Sequence, residues 1–151
     1  MSNNSADYDF LAGVRVVDFT QFEAGPTCTE ALAWLGAEVV KIENPRTGDP
    51  GRRLRPGQPD DDPYYFQQFN ANKKSITLNL KEPQGLALVK DLLRKADITV
   101  ENMAPGTIER LGVNLRAHRA NAVAARKSRA ICGQIGPVNL RPDRATGFAA
   151  R

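Results

Sequence analysis

Two cysteines and one histidine in 151 residues leave little room for metal or redox chemistry. Cys28 and Cys132 are far apart and in no metal-ligand spacing, and His118 stands alone. Neither a Cys/His zinc site nor a secreted disulfide framework is therefore expected. The glycines form no GxGxxG or Walker fingerprint, which leaves the common phosphate cradles out. Met1-Ser2-Asn3-Asn4-Ser5-Ala6-Asp7 lacks basic residues and an apolar run, so no signal peptide is read there. No apolar run approaches the length needed to span a membrane. A cytoplasmic, reducing setting is the expectation, with no membrane partner. What is present is ordinary: 41% hydrophobic and 25% charged residues, enough for one domain with a core.

The net charge of +4 points toward nucleic acid only until it is located. Residues 1–114 carry 13 Lys/Arg and 16 Asp/Glu, a net of −3, whereas residues 115–151 carry 8 Lys/Arg and the single acid Asp143, a net of +7. That split predicts a disordered leader over 1–10, a mildly acidic domain over 11–114 and a basic Ala/Arg-rich tail over 115–151. The tail lacks interleaved aromatics and any binding motif, so no nucleic-acid partner is expected.

Apolar β-branched runs alternate with helical patterns along the domain. Val14–Phe19, Glu38–Glu43, Ser75–Leu80 and Ile98–Val100 read as strands. Pro26 suits a first helical position, and the helix that follows ends at Gly36. Cys28, Ala31, Leu32 and Leu35 fall on one face, predicted to pack on a sheet; Cys28 reads as a core residue and not as a nucleophile. Pro83 opens another helix, with Leu86, Val89 and Leu93 on its apolar face. Tyr64–Phe69 reads as an aromatic core or interface cluster, and Asp60-Asp61-Asp62 as a solvated loop. The adjacent Lys73 and Lys74 read either as phosphate holders or, as most such pairs are, as solvated lysines. Strands alternating with helices predict an α/β fold, Rossmann-like, with a mainly parallel sheet and flanking helices. Ligands of such sheets bind beyond the carboxyl ends of the strands, where Glu23, Asn44 and Asn102 would lie.

The stretch from Ile98 to Gly112 concentrates the expected chemistry. A short buried strand leads into a polar turn and a helix read as opening at Pro105, with Arg110 one turn on. Free backbone N–H groups, a helix dipole and a guanidinium would converge there on an anion.

Four stretches in order, Phe22–Thr29, Leu35–Glu43, Phe69–Ser75 and Val100–Gly112, together resemble the family III CoA-transferases, a family that includes formyl-CoA transferase, carnitine CoA-transferase and the 2-methylacyl-CoA racemases. The resemblance runs from about Leu11 to Asn114. It implies a Rossmann-like large domain, here truncated, an interlaced homodimer, and coenzyme A as carrier with no metal. On the formyl-CoA transferase pattern, CoA contacts fall on Glu23 and Ala24, on Leu78, Asn79, Leu80 and Lys81, on Asn102, Met103 and Ala104, and on Arg110. Main-chain groups and a guanidinium suit the phosphates of CoA. Two positions depart from that pattern. Glu23 replaces a glutamine and disfavours a second anion such as oxalate; Asn44 replaces a CoA-binding arginine.

The resemblance also implies chemistry between an acyl-CoA and a carboxylic acid. An aspartate attacks the thioester to give a mixed anhydride, and the released CoA then forms an aspartyl-CoA thioester that the acceptor reopens. The segment leading to that aspartate is not found after Asn114. Counted from Gly133-Gln134-Ile135-Gly136-Pro137, the nucleophile's slot holds Ala145, and Asp143 reads as a solvated tail residue. No catalytic residue is assigned. Two readings follow: the N-terminal part of a CoA-transferase, or an inactive remnant that at most binds CoA or dimerises. Racemase chemistry would need acid/base groups this sequence does not show. The tail is expected to be disordered or out of frame. Arg126-Lys127-Ser128-Arg129-Ala130-Ile131 is encodable by CGC AAG TCA AGG GCT ATC. Preceded by G and read one nucleotide earlier, this gives Ala-Gln-Val-Lys-Gly-Tyr, which resembles the missing segment. Sequencing the locus tests this: an unbroken frame with unrelated codons at 126–131 removes it.

Overall fold

The computed structural model describes residues 9–54 and 62–113. The leader's first eight residues, Asp60, Asp61 and the tail over 115–151, with Asp143 and Ala145, lie outside the described residues.

Four parallel strands form one sheet: β1 (Arg15–Asp18), β2 (Glu38–Glu43), β3 (Lys74–Thr77) and β4 (Ile98–Val100), in the order β3-β2-β1-β4. The predicted α/β class with a parallel sheet is what the chain adopts. Val16 pairs with Val39 on one side and Ile98 on the other, so β1 is central and apolar on both faces. Its alternating residues feed two separate cores, as expected where helices cover both faces. Val16 joins Ala33, Val39, Ile98 and Val100 under α1 (Ala24–Trp34). Val17 joins Phe19, Ile42, Val89, Leu93 and Ile108 under α3 (Pro83–Lys95) and the single-turn α4 (Thr107–Arg110). Between β2 and β3 lie a 3₁₀ turn (Pro50–Arg53) and α2 (Tyr64–Asn70), which packs beside α1.

Several sequence expectations shift here, each for a local reason. Helix α1 starts at Ala24, so Pro26 is its third residue, still within the first turn where no intrahelical acceptor awaits an N–H. Its sheet-facing side is Gly25, Pro26, Thr29 and Ala33, not the larger face predicted; Ala31 and Leu35 are exposed and Cys28 and Leu32 half-buried. Small residues let the helix come close: a Cβ on Gly25 would stand 2.5 Å from Thr20 Cβ. The predicted strand Ser75–Leu80 shortens and shifts to Lys74–Thr77, because Asn79 turns the chain. Its side chain accepts the Lys81 N–H at 3.1 Å and its carbonyl the Glu82 N–H at 3.1 Å. Strand β3 is exposed throughout, as befits an edge. Of the aromatic cluster, Phe66 is buried, Tyr65 meets Phe69 edge-on, and Tyr64 is exposed.

Candidate functional site

Because all four strands are parallel, the loops after Asp18, Glu43, Thr77 and Val100 leave from one edge. The chain goes from β1 to β2 and β3 on one side, then returns to place β4 on the other. That reversal makes a topological switch point between the β1 and β4 loops, the place where such sheets usually take their ligands. Glu23, Asn44 and Asn102 do follow carboxyl ends of strands.

Asn102 joins the two loops at this switch point. Its Oδ1 accepts the Gln21 N–H and its Nδ2 donates to the Gln21 carbonyl, both at 2.8 Å. Both side-chain atoms are thereby engaged within the fold. A Cβ on Gly25 would reach within 3.0 Å of Asn102 Cγ, so the start of α1, with Glu23 and Ala24, sits against the β4 loop. Glu23 caps α1 through its carbonyl, which accepts the Thr27 N–H at 2.8 Å, while its exposed carboxylate makes no cap bond. Ala24 is exposed as the first helical residue.

The convergence expected from Ile98 to Gly112 is only partly realised. Gly106 adopts φ +78° and the helix begins at Thr107, two residues past Pro105. One helical turn has little aligned dipole to offer. The backbone donors are also spent locally: Met103 N–H donates to Glu101 Oε2 at 2.8 Å and Thr107 N–H to the Ala104 carbonyl at 3.0 Å. Met103 packs against the core and Ala104 is exposed. Arg110 is exposed, donates to Thr107 Oγ1 at 2.8 Å and lies over Gly106. On the other flank, Leu78 and Leu80 face the core while Asn79 and Lys81 are exposed. Three strand spacings, about 14 Å, separate β3 from β4. The Leu78–Lys81 and Asn102–Ala104 loops therefore meet only an elongated ligand together.

Beneath this edge runs a network of buried charges that the sequence reading passed over. Asp18 is fully buried; it accepts Thr20 N–H at 2.8 Å and Oγ1 at 2.5 Å, Thr29 Oγ1 at 2.6 Å, and pairs with Lys73 Nζ at 3.2 Å. Lys73 also donates to the Pro26 carbonyl at 2.8 Å and Asn70 Oδ1 at 3.0 Å. Burial pulls its pKa down, against the opposing charge of Asp18. Lys74 pairs with Glu38 at 2.7 Å on the surface. Lys73 is thus committed inside the fold, while Lys74 is a solvated surface lysine. Lys41, 1% exposed, donates to the Thr20 carbonyl at 2.7 Å and forms an ion pair with Asp49 at 2.8 Å. Glu43 accepts from Arg52 at 2.7 and 2.8 Å, from Ser75 Oγ at 2.5 Å and from the Asp49 N–H at 2.8 Å. Arg52 continues to Asp62 at 2.5 Å and stacks over the Phe66 ring at 3.7 Å, so this exposed member of the acidic triplet is also an ion-pair partner. The signal for this network was available: a charge inside a strand buried on both faces must be paired. Tyr65 lies near this turn; burial, then the carboxylates of Glu23 and Asp49, raise its pKa.

The fold is a parallel α/β domain with a topological switch point between β1 and β4. The chain belongs to CoA-transferase family III, whose family model matches residues 11–126. It is 48% identical over 102 residues to a formyl-CoA:oxalate CoA-transferase of Afipia carboxidovorans, covering 68% of this chain and 24% of that protein. The corresponding enzyme of Escherichia coli gives the same identity and coverage. Among solved structures, a CAIB/BAIF family protein from Brucella suis superposes with a TM-score of 0.67 at 32% identity, over 73% of this chain and 30% of that one. A hypothetical protein from Mycobacterium tuberculosis gives 0.64 at 38% identity, over 72% and 30%. The chain thus spans about a quarter of the length of these curated relatives. Among the described residues no helix is long and apolar enough to cross a membrane, and no cluster of His, Cys, Asp or Glu has metal-holding geometry.

Proposed function

We propose that this chain is the CoA-holding N-terminal segment of a CoA-transferase that moves CoA between an acyl-CoA and a carboxylic acid. One observation supports the reading above others. In a chain of this family, the loops bearing Glu23–Ala24, Leu78–Lys81 and Asn102–Ala104 all leave the same edge of one parallel sheet. Main-chain groups of these loops would line the carrier, Lys81 and Arg110 would meet its phosphates, and the Asn102 side chain would hold the β1 and β4 loops together instead of touching ligand. The chemistry CoA supplies is a thioester whose acyl carbon is open to a carboxylate nucleophile. With Ala145 in the nucleophile's slot, the chain binds without turning over. Homodimer formation, which the family resemblance implies, belongs to the same proposal.

Isothermal titration of the full 151-residue chain with CoA is expected to give saturable binding, and Arg110→Ala to weaken it about three- to tenfold, the loss of one charge-assisted phosphate contact. A transferase assay with several acyl-CoA donors is expected to show no product above background. Absence of CoA binding overturns the proposal, and turnover overturns its inactive half.

A further inference from the structure

One buried ammonium fixes both ends of the turn that follows β1. The Lys73 side chain is only 1% exposed, and its Nζ donates to Asp18 Oδ2 at 3.2 Å, the Pro26 carbonyl at 2.8 Å and Asn70 Oδ1 at 3.0 Å. The chain turns toward β3 just before it, at Asn72, whose φ of +60° is a left-handed backbone that asparagine tolerates. Asn72 Nδ2 pins this turn to the Ala33 carbonyl of α1 at 3.0 Å. Asp18 in turn holds Thr20 through its N–H and Oγ1, at 2.8 and 2.5 Å. Thr20 at one end and Pro26 at the other are thus tied to one ion pair, and residues 21–25 between them include the main chain of Glu23 and Ala24.

Three acceptors around one nitrogen select a charge state. An ammonium has three N–H donors and fills all three positions, whereas a neutral amine has two and a lone pair, which must face one of the oxygens. Loss of the proton therefore breaks the cradle and leaves the buried Asp18 carboxylate without its cation. The groups around the lysine pull both ways. Burial lowers its pKa first of all and Lys41 on β2 adds to this, while Asp18 on β1 and Glu30 on α1 oppose it. Helix α2 presents the neutral Asn70, and Lys74, next along the chain, is paired with Glu38 on the surface. The balance leaves Lys73 below the ordinary lysine range, so it sheds its proton at a lower pH than a solvated lysine does.

We infer, resting on the CoA reading above, that Lys73 is a positioning residue for the carrier: its ammonium holds the turn after β1 in the shape that receives CoA, so CoA affinity follows the charge on this lysine. It touches no ligand and acts through Asp18 and the Pro26 carbonyl.

Binding of S-methyl-CoA, which has neither a thiol to titrate nor a thioester to hydrolyse, tests this on the full chain from about pH 7 to about pH 11, with far-UV circular dichroism recorded alongside. Affinity is expected to fall about tenfold at an alkaline edge below the usual lysine range, while the helical signal persists. Asn70→Asp sets a second carboxylate on the ammonium and is expected to raise that edge by about one pH unit. Asn70→Leu removes an acceptor and is expected to lower it. A turn held only for stability would leave the edge where it is in both variants. Should one variant not fold, the other decides. A flat profile, an edge that does not follow these directions, or one at which the helical signal also collapses overturns this proposal and leaves the CoA reading standing. Absence of binding at neutral pH overturns the CoA reading itself.

Discussion

Replacing Lys41 by methionine is expected to cost about 3–5 kcal/mol of folding stability, a large share of the 5–15 kcal/mol typical of a domain. The lysine stem is buried in β2 on the face that carries Val39, so methionine fills much of the space. What is lost is the charge. Asp49 keeps the Gly51 N–H at 2.7 Å on one oxygen, but its other oxygen, buried, faces the Lys41 ammonium at 2.8 Å and loses that partner with the charge. The Thr20 carbonyl loses its 2.7 Å donor at the same time. An uncompensated buried carboxylate, more than the lost attraction, sets the size of the effect. Lys41→Met/Asp49→Leu is therefore expected to be more stable than Lys41→Met alone, by about 1–2 kcal/mol, even though it removes the cap on the 3₁₀ turn. Urea denaturation followed by far-UV circular dichroism measures all four corners of the cycle. A double variant no better than Lys41→Met would show that this charge pair is not what the interior depends on.

These same residues mark where the sequence could and could not be read. β2 and β4 emerge with the predicted bounds, Glu38–Glu43 and Ile98–Val100, because a short β-branched run between polar turns has few alternatives. Helix α3 begins at Pro83 as expected and buries Val89 and Leu93, since a proline start and a 3.6-residue apolar period agree with each other. Helix α1 shows the opposite case. A reading weighted toward large apolar residues favours Cys28, Ala31, Leu32 and Leu35, but the sheet needs a close approach and a hydroxyl for Asp18. Gly25, Thr29 and Ala33 meet both needs. The candidate site divides the same way. Glu23, Asn44 and Asn102 could be placed beyond strand ends from topology alone. That Asn102 spends its side chain on Gln21, that Lys73 is buried on Asp18, and that Gly106 delays the last helix all depend on contacts between distant parts of the chain, which no local pattern encodes.

Acid is expected to destabilise the chain steeply between about pH 4.5 and pH 2, through Glu43. Burial on its own would push this carboxyl up. The hydrogen bonds from Arg52, Ser75 and the Asp49 N–H, with the Arg52 charge, outweigh burial and bring it from 4.5 down to about 2. A folded pKa below the unfolded one means that the unfolded chain binds the proton more readily. The contribution is complete above the unfolded value and is lost as pH falls through the folded one. A gap of that size corresponds to about 2–3 kcal/mol once the partly exposed Arg52 is allowed for. Glu43→Gln removes the titration but leaves Arg52, held also by Asp62 and the Phe66 ring, with a weaker partner. It is expected to be about 2–3 kcal/mol less stable at pH 7 and to match the unaltered chain near pH 2. Arg52→Lys separates charge from geometry. A single ammonium cannot span Glu43 and Asp62 while stacking on an aromatic ring, so most of the loss is expected to remain. Thermal melts from pH 7 to pH 2 on the three chains read this directly. Parallel profiles for Glu43→Gln and the unaltered chain would show that Glu43 is not the source of the acid sensitivity.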